Sequence, residues 1–332
     1  MSPASSTLIT LLLFIPPPQE EGVPALLERL KSADPAERRT SEKALAEAGA
    51  SAVPALRRAL ARDDAGIEER VDALVRKLGS AGWKEREEAS RVLARLGGAG
   101  RPRLRTHENS PNPEVAWRVK SVLAELKELE TGELAGALYA DAALCRLLGA
   151  AGDGASADLI LKALARAAGG PPDGALDARR SAVEALAALR PSLAPEQADR
   201  ATEEGLKLLA EQRDRRTTGA VLRALGKLRS PAATPPLAML LEDASVKDLH
   251  LKRGAMAALV ALDQPAGVRA VARALRSDEP YLREAAVQTL SSAAGTDFGI
   301  DPSAGPAPEA AFAKVRGWWE ARYKRAWDEE IR

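Results

Sequence analysis

From Val23 onward, apolar residues return every three or four positions, and polar residues fill the positions between them. Ser41, Ala44, Leu45 and Ala48 share one face, Val53, Leu56 and Leu60 a second, and Ile67, Val71, Leu74, Val75 and Leu78 a third. This spacing is that of amphipathic helices. It predicts helices over 24–31, 35–48, from Pro54, and over 67–78. The punctuation agrees: Asp34 precedes Pro35 as a helix cap and first-turn residue, Gly49 follows the second helix, and Pro54 opens the third. Strand-like alternation and two-residue hairpin signals do not occur in the chain.

Residues 30–126 are one segment written twice, with a shift of 48 residues and no gap. Leu30 falls on Leu78, Glu37-Arg38 on Glu85-Arg86, Leu45-Ala46 on Leu93-Ala94, Gly49 on Gly97, Pro54 on Pro102, and Arg70-Val71 on Arg118-Val119. A second register appears further on. With a shift of 34 residues, Ala224-Leu225 overlies Ala258-Leu259, Pro231-Ala232 overlies Pro265-Ala266, and Leu241 overlies Leu275. Periods of roughly 20–50 residues mark stacked units, each unable to bury its apolar face alone. The expected fold is therefore all-α: an α-solenoid of stacked antiparallel helix pairs, roughly seven in number. The chain divides into an apolar segment at 1–20, repeats with the tandem duplication at 21–130, further repeats at 131–295, and a closing segment at 296–332. Gly169-Gly-Pro-Pro-Asp-Gly174 is the most loop-like stretch of the array, a candidate hinge. The closing segment carries Phe298, Phe312, Trp318, Trp319, Tyr323 and Trp327, with a last helix expected over 310–328. On it Phe312, Val315, Trp319, Tyr323 and Ala326 form one apolar face, the natural cap of the array.

The run Arg86-Glu-Glu-Ala-Ser-Arg-Val-Leu-Ala-Arg-Leu-Gly97, continued by Pro102-x-Leu104-Arg105 and Pro113-Glu114-Val115, resembles the HEAT-like repeats of bacterial proteins. That group includes the bilin-lyase-like repeats. The Asp297-Phe-Gly-x-Asp-Pro302 run followed by a Trp-Trp helix is similar to the close of other bacterial HEAT-repeat proteins. The resemblance implies an α-solenoid that binds other proteins.

Composition narrows the function classes. The 332 residues are 45% hydrophobic but only 3% aromatic, which suits closely stacked Ala/Leu helices. Lys and Arg number 48 against 47 Asp and Glu, so no global basic excess points to a phosphate backbone. Cys145 is the chain's one cysteine and lies in an Ala/Leu run, which reads as a buried structural thiol. Leu8 to Ile15 is too short to span a bilayer. It has the length of a secretory core, but no basic residue precedes it and no small-x-small site follows, so export and cytoplasmic location both stay open.

The catalytic inventory is short. His107 and His250 are far apart in the chain, and no zinc pair, Walker loop or nucleophile elbow is present. Gly149–Gly154 follows a helix and reads as a turn. No catalytic residue, metal or cofactor is assigned, and the chain is expected to be a non-enzymatic monomer. Candidate partner-binding residues come from three places. Where the first copy has Val53, Leu56 and Leu60, the second has Arg101, Leu104 and Glu108, and Arg101, Arg103, Arg105 and His107 make a basic run. It reads as a spot for an acidic peptide, phosphate or nucleic acid, or as a frayed and solvated helix. Trp117 lies about 160–200° from the buried stripe of its helix and replaces Glu69 of the first copy, as a binding anchor or as packing on the next repeat. Trp318 and Trp327 sit at the edges of the terminal apolar face. The function expected is a scaffold presenting a curved helical surface to a protein or peptide. The alternatives are nucleic-acid binding of the alkylated-base glycosylase type and tetrapyrrole-lyase-like activity.

Overall fold

The computed structural model describes residues 22–32, 34–61, 64–129, 135–168, 172–211 and 214–328. The apolar segment at 1–20 lies outside them. Among the described residues there are sixteen α-helices and no strand. The first three are α1 (Val23–Arg29), α2 (Pro35–Ala48) and α3 (Val53–Leu60). The next three are α4 (Asp64–Leu78), α5 (Trp83–Arg105) and α6 (Pro113–Leu129). Then come α7 (Ala135–Ala150), α8 (Ala157–Ala168), α9 (Pro172–Ala188), α10 (Pro195–Glu211), α11 (Arg215–Leu228) and α12 (Thr234–Glu242). The last four are α13 (Leu249–Leu262), α14 (Pro265–Arg273), α15 (Pro280–Ala294) and α16 (Glu309–Tyr323).

Local chemistry places most of these boundaries. The Asp34 side chain accepts the Ala36 N–H at 2.8 Å, capping α2, and Gly49 ends it at φ +56°. Asp214 and Asp248 cap α11 and α13 in the same way. Three C-terminal positions that favour glycine are filled instead by Arg229, Asp263 and Lys324, at φ +51°, +55° and +54°. An arginine four residues past the cap recurs as a loop staple. Arg38, Arg86 and Arg283 each donate from Nη1 to the carbonyl of the serine six residues earlier, at 2.8, 2.9 and 2.9 Å. The match of Arg38 with Arg86 in the duplication is thus a structural one.

Two expected boundaries change. The stop at Gly97 and restart at Pro102 merge into the single helix α5, because glycine permits a helix end without compelling one. Of the loop-like Gly169–Gly174, residues 169–171 lie outside the described residues. Pro172–Gly174 already belong to α9, with Pro172 in the first turn, where its missing N–H is harmless.

The helices form two rows. α2, α7, α9, α11, α13 and α15 lie side by side in one, and α3, α8, α10, α12, α14 and α16 in the other. This is an α-solenoid of stacked helix pairs. The pair α2/α3 stacks directly on α7/α8. Leu45, Leu56 and Leu60 share a core with Leu148, Ile160 and Leu164, and Arg57 Nε donates to Asp153 at 2.6 Å. α4–α6 close a separate core of Val71, Val75, Leu78, Leu93, Leu104, Val119 and Val122. The first copy of the duplication is therefore divided between two cores. A third core runs from Leu208 to Trp319.

Candidate binding surface

The basic run of the second copy is built against α4. Asp72 accepts two hydrogen bonds from Arg103, Nε at 2.8 Å and Nη2 at 2.7 Å, and His107 Nε2 lies 2.9 Å from its Oδ1. The Arg103 hydrogen bonds, followed by that of His107, hold the Asp72 carboxyl well below the usual range. Both partners are departures from the first copy, which has Ala55 and Ala59 there. Together they latch the end of α5 to α4. Arg105 is exposed at the end of α5, and the side chain of Arg101 lies outside the described residues.

Trp117 projects into solvent with 61% of its surface exposed, and the Arg118 guanidinium lies 5.7 Å from its ring centre. Trp83 at the start of α5 is equally exposed, at 61%. Trp83 is not among the candidates named from the sequence, yet it stands where the first copy has the helix-opening Pro35. An ion-pair cluster joins the two helices beside these rings. Arg86 pairs with Glu114 at 3.3 Å, and Arg118 with Glu114 at 2.8 Å and with Glu87 at 3.6 Å. Trp83 lies one helical turn from Arg86 and Glu87, and Trp117 one turn from Glu114, so the cluster ties both aromatic positions into one surface.

The terminal tryptophans are placed differently. Trp319 is fully buried and donates from Nε1 to the Pro265 carbonyl at 2.9 Å. Trp318 is half-buried edge-on against Phe298, with ring centres 5.9 Å apart. The last helix ends at Tyr323, earlier than expected, because Lys324 turns left-handed. Ala326 is consequently exposed. That turn folds Trp327 back over Phe312 and Trp319, at 5.6 and 5.3 Å between ring centres. Trp318 and Trp327 thus pack on the core that closes the array.

Across the row of α2, α7 and α9 runs a hydrogen-bonded ladder. Arg146 donates to Glu42 at 2.7 and 2.9 Å, to Ser181 at 2.9 Å and to Asp177 at 3.3 Å, and the Tyr139 hydroxyl donates to Glu42. Burial pushes the Glu42 carboxyl up, but the hydrogen bonds from Arg146 and Tyr139 outweigh it and hold the group low. Behind this ladder Cys145 is buried, which pushes its thiol up to about 12. Among the described residues no group of three or more His, Cys, Asp or Glu is arranged to hold a metal ion. No helix among them is long and apolar enough to cross a membrane.

Neither a scan of known protein families nor a search of curated proteins finds a match to this chain. Among solved structures it is similar to human deoxyhypusine hydroxylase in complex with glycerol, at 20% identity over 82% of this chain and 96% of that one, with a TM-score of 0.31. At that identity and score, neither substrate nor site residues carry over. The match does correct one expectation. The chain was expected to be non-enzymatic, yet this structural neighbour is an enzyme, and the non-enzymatic assignment is withdrawn.

Proposed function

We propose that this chain is a HEAT-like repeat protein that binds a protein or peptide partner, with Trp83 and Trp117 on α5 and α6 as anchors. The observation that carries the proposal is their exposure, 61% each, on one ion-paired surface of a helix trio with its own core. Folding gains little from either ring, whereas aromatic anchors at interfaces are worth about 2 kcal/mol or more each. Two such anchors correspond to roughly a thousandfold in Kd. Two other functions find less support. Arg103 and His107 of the basic run are committed to Asp72, which weakens the nucleic-acid reading, and the buried Cys145 offers a lyase no accessible thiol.

The test is affinity capture with the full chain and with W83A/W117A. The substituted chain is expected to keep its helical content and lose the captured partner. Equal capture of the same partner by both chains would overturn the reading.

A further inference from the structure

The α11 helix carries a row of exposed cations. Arg216, Arg223 and Lys227 are exposed at spacings of seven and four, which places them on one helical stripe, and Arg229 follows at the left-handed C-cap. Among the described residues none of these four forms an ion pair with a carboxylate. The neighbouring helix shows the contrast: on α9, Arg179 pairs with Glu211, and Arg180 with Asp177 and Glu184. The α11 stripe runs into an open groove of about 640 Å³, where Arg190, Lys227 and Arg229 meet a floor of small residues including Ala188, Gly226 and Ala261. Arg190 donates its Nε to the Leu228 carbonyl, and the groove lining contains no acidic side chain.

We infer that this stripe and groove form a docking site for a short acidic peptide segment. The inference rests on the reading that the chain recognises proteins, and it adds a site on α11, outside the α4–α6 trio that carries Trp83 and Trp117. Charge complementarity selects the occupant. From Arg216 to Arg229 the stripe is about 20 Å long at 1.5 Å per residue, which an extended peptide covers with about six residues. The flanks set the limit on that length. On α9 Arg180 is already paired with Asp177 and Glu184. On α13 the one exposed Lys or Arg is Arg253, which donates to Gln288, while the rest of that face presents Ala257 and Ala261. The unpaired charge therefore does not continue along the row on either side. A nucleic-acid backbone needs continuous basic ground, whereas a short acidic segment fits between the flanks. The groove's small residues leave room for a peptide backbone to lie close to the helices.

The experiment is fluorescence anisotropy of a labelled ten-residue peptide of alternating Glu and Ala. It is measured with the full chain, with R223E/K227E, with R216E/R229E and with W83A/W117A, at low and at physiological salt. Saturable, salt-weakened binding is expected, reduced at least tenfold by either charge reversal and unchanged by W83A/W117A. Circular dichroism checks that the variants keep their helices. No saturable binding, or equal binding by both reversed variants, overturns the inference. So does an oligonucleotide of equal charge that binds more tightly and loses affinity in the same variants. If the peptide fails while W83A/W117A still abolishes partner capture, this site falls and the reading of the aromatic surface stands.

Discussion

Arg146 lies in an Ala/Leu-rich helix, yet its guanidinium holds Glu42 of α2 on one side and Asp177 and Ser181 of α9 on the other. Nothing in the local pattern of α7 marks it as a junction, because its partners are 31 to 104 residues away. Glu42 titrates below its ordinary 4.5 in the folded chain. The stabilisation from the charged carboxylate is therefore complete above about pH 4.5 and is lost as the pH falls through the lower folded value. Substituting Glu42→Gln removes that titration, so the acid limb of the unfolding midpoint against pH should become shallower than in the parent chain. Cys145 gives a second residue-level expectation. With its thiol pushed up to about 12 and its side chain buried, it should resist alkylation at pH 8 in the native chain and react fully in denaturant. Rapid native alkylation would show that α7 opens locally.

At the element scale, two glycines separate helix propensity from packing. Gly226 on α11 faces α13, where an added Cβ would come within 2.9 Å of the Ala261 Cβ and 3.2 Å of the Ala258 Cα. Gly317 on α16 has nothing within 4 Å. Alanine gains up to about 1 kcal/mol of helix propensity at either position. At Gly226 the clash outweighs that gain, so G226A should lose about 1–3 kcal/mol in chemical denaturation while G317A gains. The arginine staple belongs to this scale as well. Arg283 donates to the carbonyls of Ser277, Asp278 and Pro302, and R283A leaves three acceptors short of a partner at a cost of about 3 kcal/mol or more. Much of this scale could be read in advance. Asp34, Pro35 and Gly49 marked their helix ends because each acts through its own backbone. Gly97 misled, since glycine states a permission, and Lys324 and Arg229 gave no warning, since a left-handed turn at such residues is imposed by packing.

At the scale of the whole molecule, the order of stacking differs from the order of the chain. α2/α3 meet α7/α8 directly, and α4–α6 close a core of their own. Replacing residues 64–129 with a short flexible linker should therefore leave a chain that unfolds cooperatively, with its Tm within about 10 °C of the parent. A non-cooperative melt would show that the trio supports the array. The exposed Trp83 and Trp117 leave with that trio, so the shortened chain should also lose the partner captured through them. What the sequence by itself determined was local: the helical period, most caps, which face of each helix is buried, and the existence of repeats. Even the two exposed tryptophans were marked in it, as departures from Pro35 and Glu69. Only the tertiary structure decided which faces meet, that Asp72 takes up Arg103 and His107, and that Arg216, Arg223, Lys227 and Arg229 form no ion pair among the described residues. The physical reason is that the apolar faces are built from the same Ala, Leu and Val, so any of them can cover any other. The choice among them is made by long-range pairs such as Arg57 with Asp153 and Arg146 with Glu42, whose partners no local pattern announces.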